Sequence, residues 1–521
     1  MLIPNYIIMK KLSTLTILSF FAAFTMQSSA QSIVPDSTFN NFGNRIFTFY
    51  NNIDRGYACA IQNDQKMVMV GLSKNSSTGF FENCVARFNM DGTLDTSFSG
   101  DGKAYIAMGN QGSIGGITPA LKIDANQKIV IAGSGRGVGS QDFLVARLNS
   151  NGTPDNTFNG TGSIFVDITG ANTQPDAAST LAFDASGNIY VTGVVGIAPP
   201  FDNELAVIRL TTSGTLDLSF DADGKKYFNP ASGNEFGDGI GILSNGNVVM
   251  GMSAASGMSL LCMDPSGNLV SGFGTNGYVS LGLSGSSMSG LAIDNAGRIV
   301  VCGTASSDIA VARYLSNGAA DLTFGTQGKF LGNINGLADA ANALCITPDN
   351  KILIAGQTET AISGDNFLIA RIDTNGTFDN SFNSTGYFQK GYASGTIDEA
   401  CNGIALMNDG RIMVAGTIVI SSAVNEDICV IRVKSNLPLG VSNDLEVQNI
   451  ELFPNPATAS ISINIQHEGV YDLINIKGQL VKQVYLSKGF NSIEVTDFLP
   501  GQYIIRNLKA GVSKQFVKTN Q

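Results

Sequence analysis

One phrase recurs along this 521-residue chain at fixed internal offsets. It is clearest at Arg371–Gly386, RIDTNGTFDNSFNSTG, and returns from Arg87, Arg147, Arg209 and Arg313. A degraded copy starts at Cys262 (CMDPSGNLVSGFGTNG), and a partial one, PDSTFNNFG, lies near the N-terminus. Glycine falls five residues after the Arg slot, Asp three later, Phe three later again, and a second Gly four beyond that. The closing Phe–Gly pair occurs seven times, from Phe39–Gly43 to Phe382–Gly386.

An apolar run closed by glycine alternates with this phrase. It ends at Gly71, Gly133, Gly193, Gly251, Gly303, Gly356 and Gly416, at intervals of 62, 60, 58, 52, 53 and 60 residues. A repeat of this length suits one four-stranded propeller blade. In the second unit the four strands are expected at Leu121–Asp124, Lys128–Gly133, Asp142–Leu148 and Gly162–Ile168. Val, Ile and Phe fill these runs, while Asn, Asp, Gly and Ser fill the gaps, and NG and DG pairs suit tight turns. No long 3.6-residue periodicity predicts a helix.

The two ends of the repeat region are complementary. The last unit has three strands, ending at Asp427–Val433, and lacks its closing Asp-x-x-Phe-x-x-x-Gly; the N-terminus supplies that piece at Asp36–Gly43. A closed ring removes the free edges that an open solenoid, the competing architecture, would expose. The fold class predicted is therefore all-β, a seven-bladed β-propeller over 32–437 closed by an N-terminal strand.

Six units pair the Arg with an Asp eight residues on, if Arg432 finds Asp36 through ring closure; in the fourth unit Cys262 and Val270 stand at those positions. The pairing implies a charge-assisted bond between third and fourth strands. The alternative is an Asp that only caps its own turn, with the Arg solvated.

Outside the ring, residues 1–30 read as a secretory signal peptide. Two lysines after Met9 precede a short apolar stretch, and Ser28-Ser29-Ala30 offers small residues for cleavage. The true start is left open between Met1 and Met9. No later run is apolar enough for a transmembrane span. Net charge is −11, which argues against nucleic acid and anionic membranes as partners. The odd count of seven cysteines follows no metal spacing, and Cys84 and Cys429 share a slot with Leu144 and Leu368, so they are expected as buried apolar residues. Residues 438–449 read as a linker. A smaller domain, expected as a β-sandwich, fills 450–521.

The repeat, with G-T-x-D-x-x-F-x-x-x-G after an apolar run and Arg, resembles the bacterial delta-60 repeat. That resemblance implies a propeller and no general activity. The C-terminal region resembles the type A sorting domain of the type IX (Por) secretion system, through Phe453-Pro454-Asn455-Pro456, Ile476-Lys477-Gly478-Gln479, Leu499–Tyr503 and the basic end Lys514–Lys518. It implies Sec export to the periplasm of a Gram-negative bacterium and passage through the outer membrane by the type IX machinery. The cargo is then either released or tethered to the cell surface.

Chemistry-bearing motifs are few. The one histidine, His467, lies in the C-terminal domain, which removes His-based triads and His-bearing zinc sites from the propeller. GSGRGVGS (Gly133–Ser140) follows a strand but precedes another strand, so it reads as an inter-strand loop rather than a phosphate cradle. DADG (Asp221–Gly224) begins like a calcium loop but continues with two lysines and no acid at its twelfth position. The repeated Asp residues recur in nearly every unit, which suits framework use over a catalytic pair. No catalytic, cofactor or metal residue is assigned, and no cofactor is implied. The expectation is a monomeric, non-catalytic propeller, secreted or at the cell surface, binding a glycan, protein or envelope component through loops on one rim: Lys74–Glu82, Val194–Glu204, Thr358–Asn366 and Ile418–Glu426. The alternative is a polysaccharide lyase or glycosidase using carboxylates, Tyr or Lys near the channel.

Overall fold

The computed structural model describes residues 33–50, 52–106, 118–136, 140–170, 175–197, 202–230, 233–361, 364–392, 399–421, 425–435, 451–465, 468–475, 480–507 and 512–519. Residues 1–30 and 438–449, read from sequence as a signal peptide and a linker, lie outside the described residues, as do His467 and Ile476–Gln479.

Seven antiparallel sheets make up the propeller. Blade 1 runs Asp54–Ile61, Met67–Lys74, Phe81–Phe88 and Lys103–Ile106 from axis to periphery, and blades 2 to 6 repeat this order. The second unit shows Ala120–Ile123, Ile129–Arg136, Gln141–Leu148 and Ser163–Val166, close to the expected strands. Blade 7 takes Glu399–Leu406, Ile412–Ser421 and Asn425–Lys434 from the end of the repeat region and two outer segments, Val34–Pro35 and Asn44–Phe47, from its start. Asn44 pairs with Ile431 and Phe47 with Ile428, so the N-terminal strand completes the ring as predicted. Each innermost strand packs on those of the neighbouring blades, including Asp54–Ile61 on Glu399–Leu406.

The recurring phrase forms a buried junction between blades. In six units the guanidinium lies 2.6–2.8 Å from its Asp, and Arg432 meets Asp36 at 2.8 Å. The same guanidinium sits 4.6–5.3 Å from the ring centroid of the unit's Phe, a cation–π contact made in a desolvated setting. The other Asp oxygen does cap the turn, accepting the backbone N–H two residues on at 3.0–3.2 Å. Pairing and capping are thus both true, one for each oxygen, and the Arg is buried rather than solvated. A further cation, from the residue that opens the apolar run, joins most of these Asp residues: Lys66 on Asp95 at 2.8 Å, Lys351 on Asp379 at 2.7 Å, Arg411 on Asp36 at 3.2 Å.

The phrase also links each blade to the next. Arg147 donates to the Thr212 carbonyl of the following blade at 2.6 Å, and Asn159 N–H donates to Ser213 at 2.7 Å. The first glycine explains itself here. Gly152 has φ +86°, and a Cβ on it would stand 2.9 Å from the Phe98 ring of the preceding blade.

In the C-terminal domain two sheets, of three and four strands, enclose one core that includes Ile461, Tyr471, Ile505 and Phe516. Within the Leu499–Tyr503 motif, the Tyr503 hydroxyl donates to the Leu499 carbonyl at 2.7 Å, and its ring stacks on Phe516.

Candidate functional site

The seven innermost strands surround a central cavity of about 570 Å³. In six of them the ladder to the second strand skips one residue: Tyr57, Ser179, Asp238, Ser289, Asn342 and Asn402. Such a bulge frees one side chain from the alternation and re-aims it. All six line the cavity, and blade 2 contributes Thr118 and Pro119.

Three bulge residues tie blades together. Ser179 Oγ donates to the Gly237 carbonyl, Asn342 Nδ2 to the Cys401 carbonyl at 3.2 Å, and Asn402 Nδ2 to the Gly56 carbonyl at 2.9 Å. Each accepting residue directly precedes the bulge residue of the next blade. Asp238 breaks the pattern, because a carboxylate has no proton to pass on. It accepts from Ser253 of its own blade, from Oγ at 2.5 Å and from N–H at 3.2 Å, while Ser253 Oγ accepts the Met288 N–H at 2.9 Å. Burial, opposed by the Ser253 hydrogen bonds, pushes the Asp238 carboxyl up to about 7. Tyr57 has its phenol raised by burial, so it holds its proton.

A second ring stands at the rim where the innermost strands begin. Asp54, Asp176, Asp339 and Glu399 are buried there. Each accepts a backbone N–H from the loop arriving from the previous blade: Phe49 at 3.3 Å, Ile168 at 2.7 Å, Ile334 at 2.5 Å and Tyr392 at 2.8 Å. Blade 5 uses Ser286, which accepts the Met258 N–H at 2.9 Å. Glu235 of blade 4 is the exception. Fully buried, it meets no N–H or O–H donor among the described residues and instead faces Glu204, whose Oε1 accepts from Asn229 at 2.5 Å. Burial first, then the Glu204 and Asp202 charges, push Glu235 up to about 8, so at neutral pH it is protonated and can donate to Glu204.

The four rim loops singled out from sequence join second to third strands on this same rim. Lys74–Glu82 is described throughout, and Glu82 there accepts the Tyr50 hydroxyl at 2.7 Å. Residues 198–201, 362–363 and 422–424 of the others lie outside the described residues. Over blades 7 and 1 the rim is neutralised by the Arg55–Glu426 pair, with Arg55 Nη2 2.8 Å from Glu426 Oε1. Over blades 3 and 4 it is acidic, and Phe236 is 43% exposed.

The other motifs stay framework. Gly133–Arg136 belong to a strand, 137–139 lie outside the described residues, and Gln141 opens the next strand. In DADG, Lys226 Nζ stands 2.8 Å from Asp221. Among the described residues no three His, Cys, Asp or Glu side chains come together as a metal site. The bulge ring and the Glu204–Glu235 pair are not readable from the phrase; the one trace is that Asp238 and Glu235 sit in the unit that also lost its Arg and Asp.

A profile described as a domain of unknown function (DUF5122) beta-propeller matches residues 62–98, 125–158, 297–324 and 347–382. A secretion system C-terminal sorting domain matches 451–519. No curated protein matches the chain. Among solved structures it is similar to a catalytically inactive virginiamycin B lyase from Staphylococcus aureus, at 11% identity and TM-score 0.44 over 74% of this chain and 98% of that one. It is also similar to the polysaccharide lyase Uly1, at 11% and 0.43 over 73% and 90%, and to the β-propeller domain of the Trilobed protease from Pyrococcus furiosus, at 11% and 0.39 over 77% and 100%. At that distance these likenesses say nothing about activity.

Proposed function

We propose that this chain, which carries a DUF5122 β-propeller and a type IX sorting domain and so is exported to the cell surface or the extracellular space, is a non-catalytic receptor for an extracellular glycan, held at the channel mouth and the surrounding rim loops. The observation that carries the reading is the cavity of about 570 Å³ walled by hydroxyl and amide side chains, among them Ser179, Thr180, Ser289, Asn342, Gln357 and Asn402. A concave site with several convergent neutral donors and acceptors matches a hydroxyl-rich ligand.

Acid–base chemistry on a glycan needs two groups whose environments set their pKa values apart. Among the described residues Asp238 is the one carboxylate lining this cavity, and Tyr57, on the strand of another blade, holds its proton. The second reading, a lyase or glycosidase, draws on Asp238 alone, whose carboxyl at about 7 falls in the range of a general base. The test is a binding screen of the secreted chain against polysaccharides and envelope glycans, with product analysis of every binder. Binding without new reducing or unsaturated ends is expected. Turnover that Asp238→Asn abolishes would establish the enzyme instead.

A further inference from the structure

Blade 4 departs from the repeat at three positions that lie close together. Its bulge residue is the carboxylate Asp238 where blades 3, 5, 6 and 7 carry Ser or Asn. Its rim acid Glu235 accepts no backbone N–H. Between them Phe236 presents an aromatic face to solvent. A niche of about 100 Å³, lined by Thr118, Ala177, Ser179, Val194, Phe236 and Asp238, shares Thr118, Ser179 and Asp238 with the central cavity.

The charge around this niche is one-sided. Asp202, Glu204, Glu235 and Asp238 have no Lys or Arg within ion-pair distance among the described residues, whereas the framework Asp of every unit that has one is paired. Ser253 occupies one oxygen of Asp238 and leaves the other uncommitted. Repeated positions serve the ring; unit-specific ones are free to serve a ligand. A buried carboxylate without a cation is costly, and a ligand that brings one relieves that cost.

We propose that this niche, with the channel it opens into, binds an unacetylated amino sugar: its protonated primary amine pairs with Asp238, its ring lies against Phe236, and its hydroxyls meet Ser179 and the neutral side chains of the channel. The inference rests on the glycan-receptor reading and narrows it. An anionic sugar would be repelled by the same acids, and an N-acetylated or neutral one would leave Asp238 unpaired.

The test uses the full secreted chain and calorimetric titration with four probes: fully deacetylated chitosan tetramer, its fully N-acetylated counterpart, cellotetraose and a galacturonan tetramer. The deacetylated tetramer should bind at least about tenfold more tightly than the other three. Asp238→Asn, which keeps the shape of the side chain and an oxygen for Ser253, should erase that preference, and Phe236→Ala should weaken binding of the amino tetramer. Melting temperatures of both variants verify folding. Equal binding of amino and N-acetylated tetramers, or a preference that survives Asp238→Asn, would overturn the amino-sugar inference and leave the receptor reading standing. So would an absence of binding to the amino tetramer. Tetralysine binding as tightly and competing would show a site that reads charge and not sugar, and would overturn it too. Cleavage of any tetramer would instead strike at the receptor reading.

Discussion

Arg432 Nε stands 2.8 Å from Asp36 Oδ2, a buried ion pair that helps join the two ends of the repeat region. Thr38 Oγ1 accepts from Arg432 Nη2 at 2.7 Å, and the Phe39 ring lies 4.9 Å from the guanidinium. Burial alone would raise the Asp36 carboxyl, but hydrogen bonds from Thr38 and Arg411 and the Arg432 charge hold it well below the usual carboxylate range. The contact that repeats within five other units here closes the ring.

Removing one member should therefore act like breaking a buried pair. Arg432→Ala leaves Asp36 without its main partner and should cost about 3–5 kcal/mol in urea unfolding. Arg432→Met combined with Asp36→Leu should recover most of that loss. If both variants unfold at the same urea concentration as the wild type, the pair contributes nothing to closure.

Blade 4 offers the inverse experiment. Cys262 is buried and Val270 stands where the Asp would be, although the backbone bond Val270 N–H to Cys262 O persists at 3.0 Å. Cys262→Arg alone should destabilise by about 2–4 kcal/mol, as an unpaired buried charge. Adding Val270→Asp should restore about 1–3 kcal/mol, as a positive coupling in a double-mutant cycle. Recovery should be incomplete, because Gly272 stands where the other units have a Ser or Thr hydroxyl to hold the Asp.

Two glycines separate backbone conformation from packing. Gly79 and Gly152 both have positive φ, but nothing lies within 4 Å of a Cβ on Gly79, whereas one on Gly152 meets Phe98. Gly79→Ala should cost about 1 kcal/mol, from the left-handed backbone alone. Gly152→Ala should cost about 1–3 kcal/mol more, because the ring of the neighbouring blade must move. Equal melting temperatures for the two variants would remove the proposed interblade contact from the account of stability.

Stability should peak in mildly acidic solution. In Asp95 and Asp379 burial works against ionisation, but hydrogen bonds and the Lys and Arg charges win and hold both carboxyls at about 2. Their contribution is complete above the ordinary carboxylate pKa, about 4, and is lost as pH falls through 4 towards 2. Burial raises Asp176 and Asp238 to about 7, and burial with the Glu204 charge raises Glu235 to about 8. These groups favour the folded state when protonated, so their contribution is complete below about 4 and is lost as pH rises through 7 to 8. The melting temperature should be highest near about pH 4 to 5 and fall from there towards pH 8, and Glu235→Gln should flatten that decline. A melting temperature that climbs steadily from pH 6 to 9 would contradict the burial of these acids.

Much of the ring could be read from the sequence because its framework repeats. Fixed offsets from Arg371 to Asp379 and Phe382 carry the blade number, the ring closure and the ion pair. The second cation heads five of the seven apolar runs, as Lys66, Lys128, Arg298, Lys351 and Arg411, with Asn188 and Asn247 at the other two, yet its partner Asp lies on a distant turn and only the fold brings them together. The channel was harder. A bulge breaks two-residue alternation at one position, and Asn402 or Ser289 looks like any polar residue in a strand. Asp238 and Glu235 were hidden for a further reason: each is singular, and a reading built on recurrence passes over what happens once. The four rim loops do share one rim, as their place between second and third strands requires, but the acids that distinguish blades 3 and 4 lie mainly at strand ends beside those loops.

The Asn44–Phe47 strand has a consequence for biosynthesis. Six blades are each built from a contiguous stretch, and the seventh needs partners from opposite ends of the repeat region. A polypeptide halted anywhere before residue 425 is left as an arc, with Asn44–Phe47 lacking its mate and a bare β edge at the opposite terminus. Only a chain that runs past residue 434 can hide both, so the ring itself discriminates complete propellers from truncated ones.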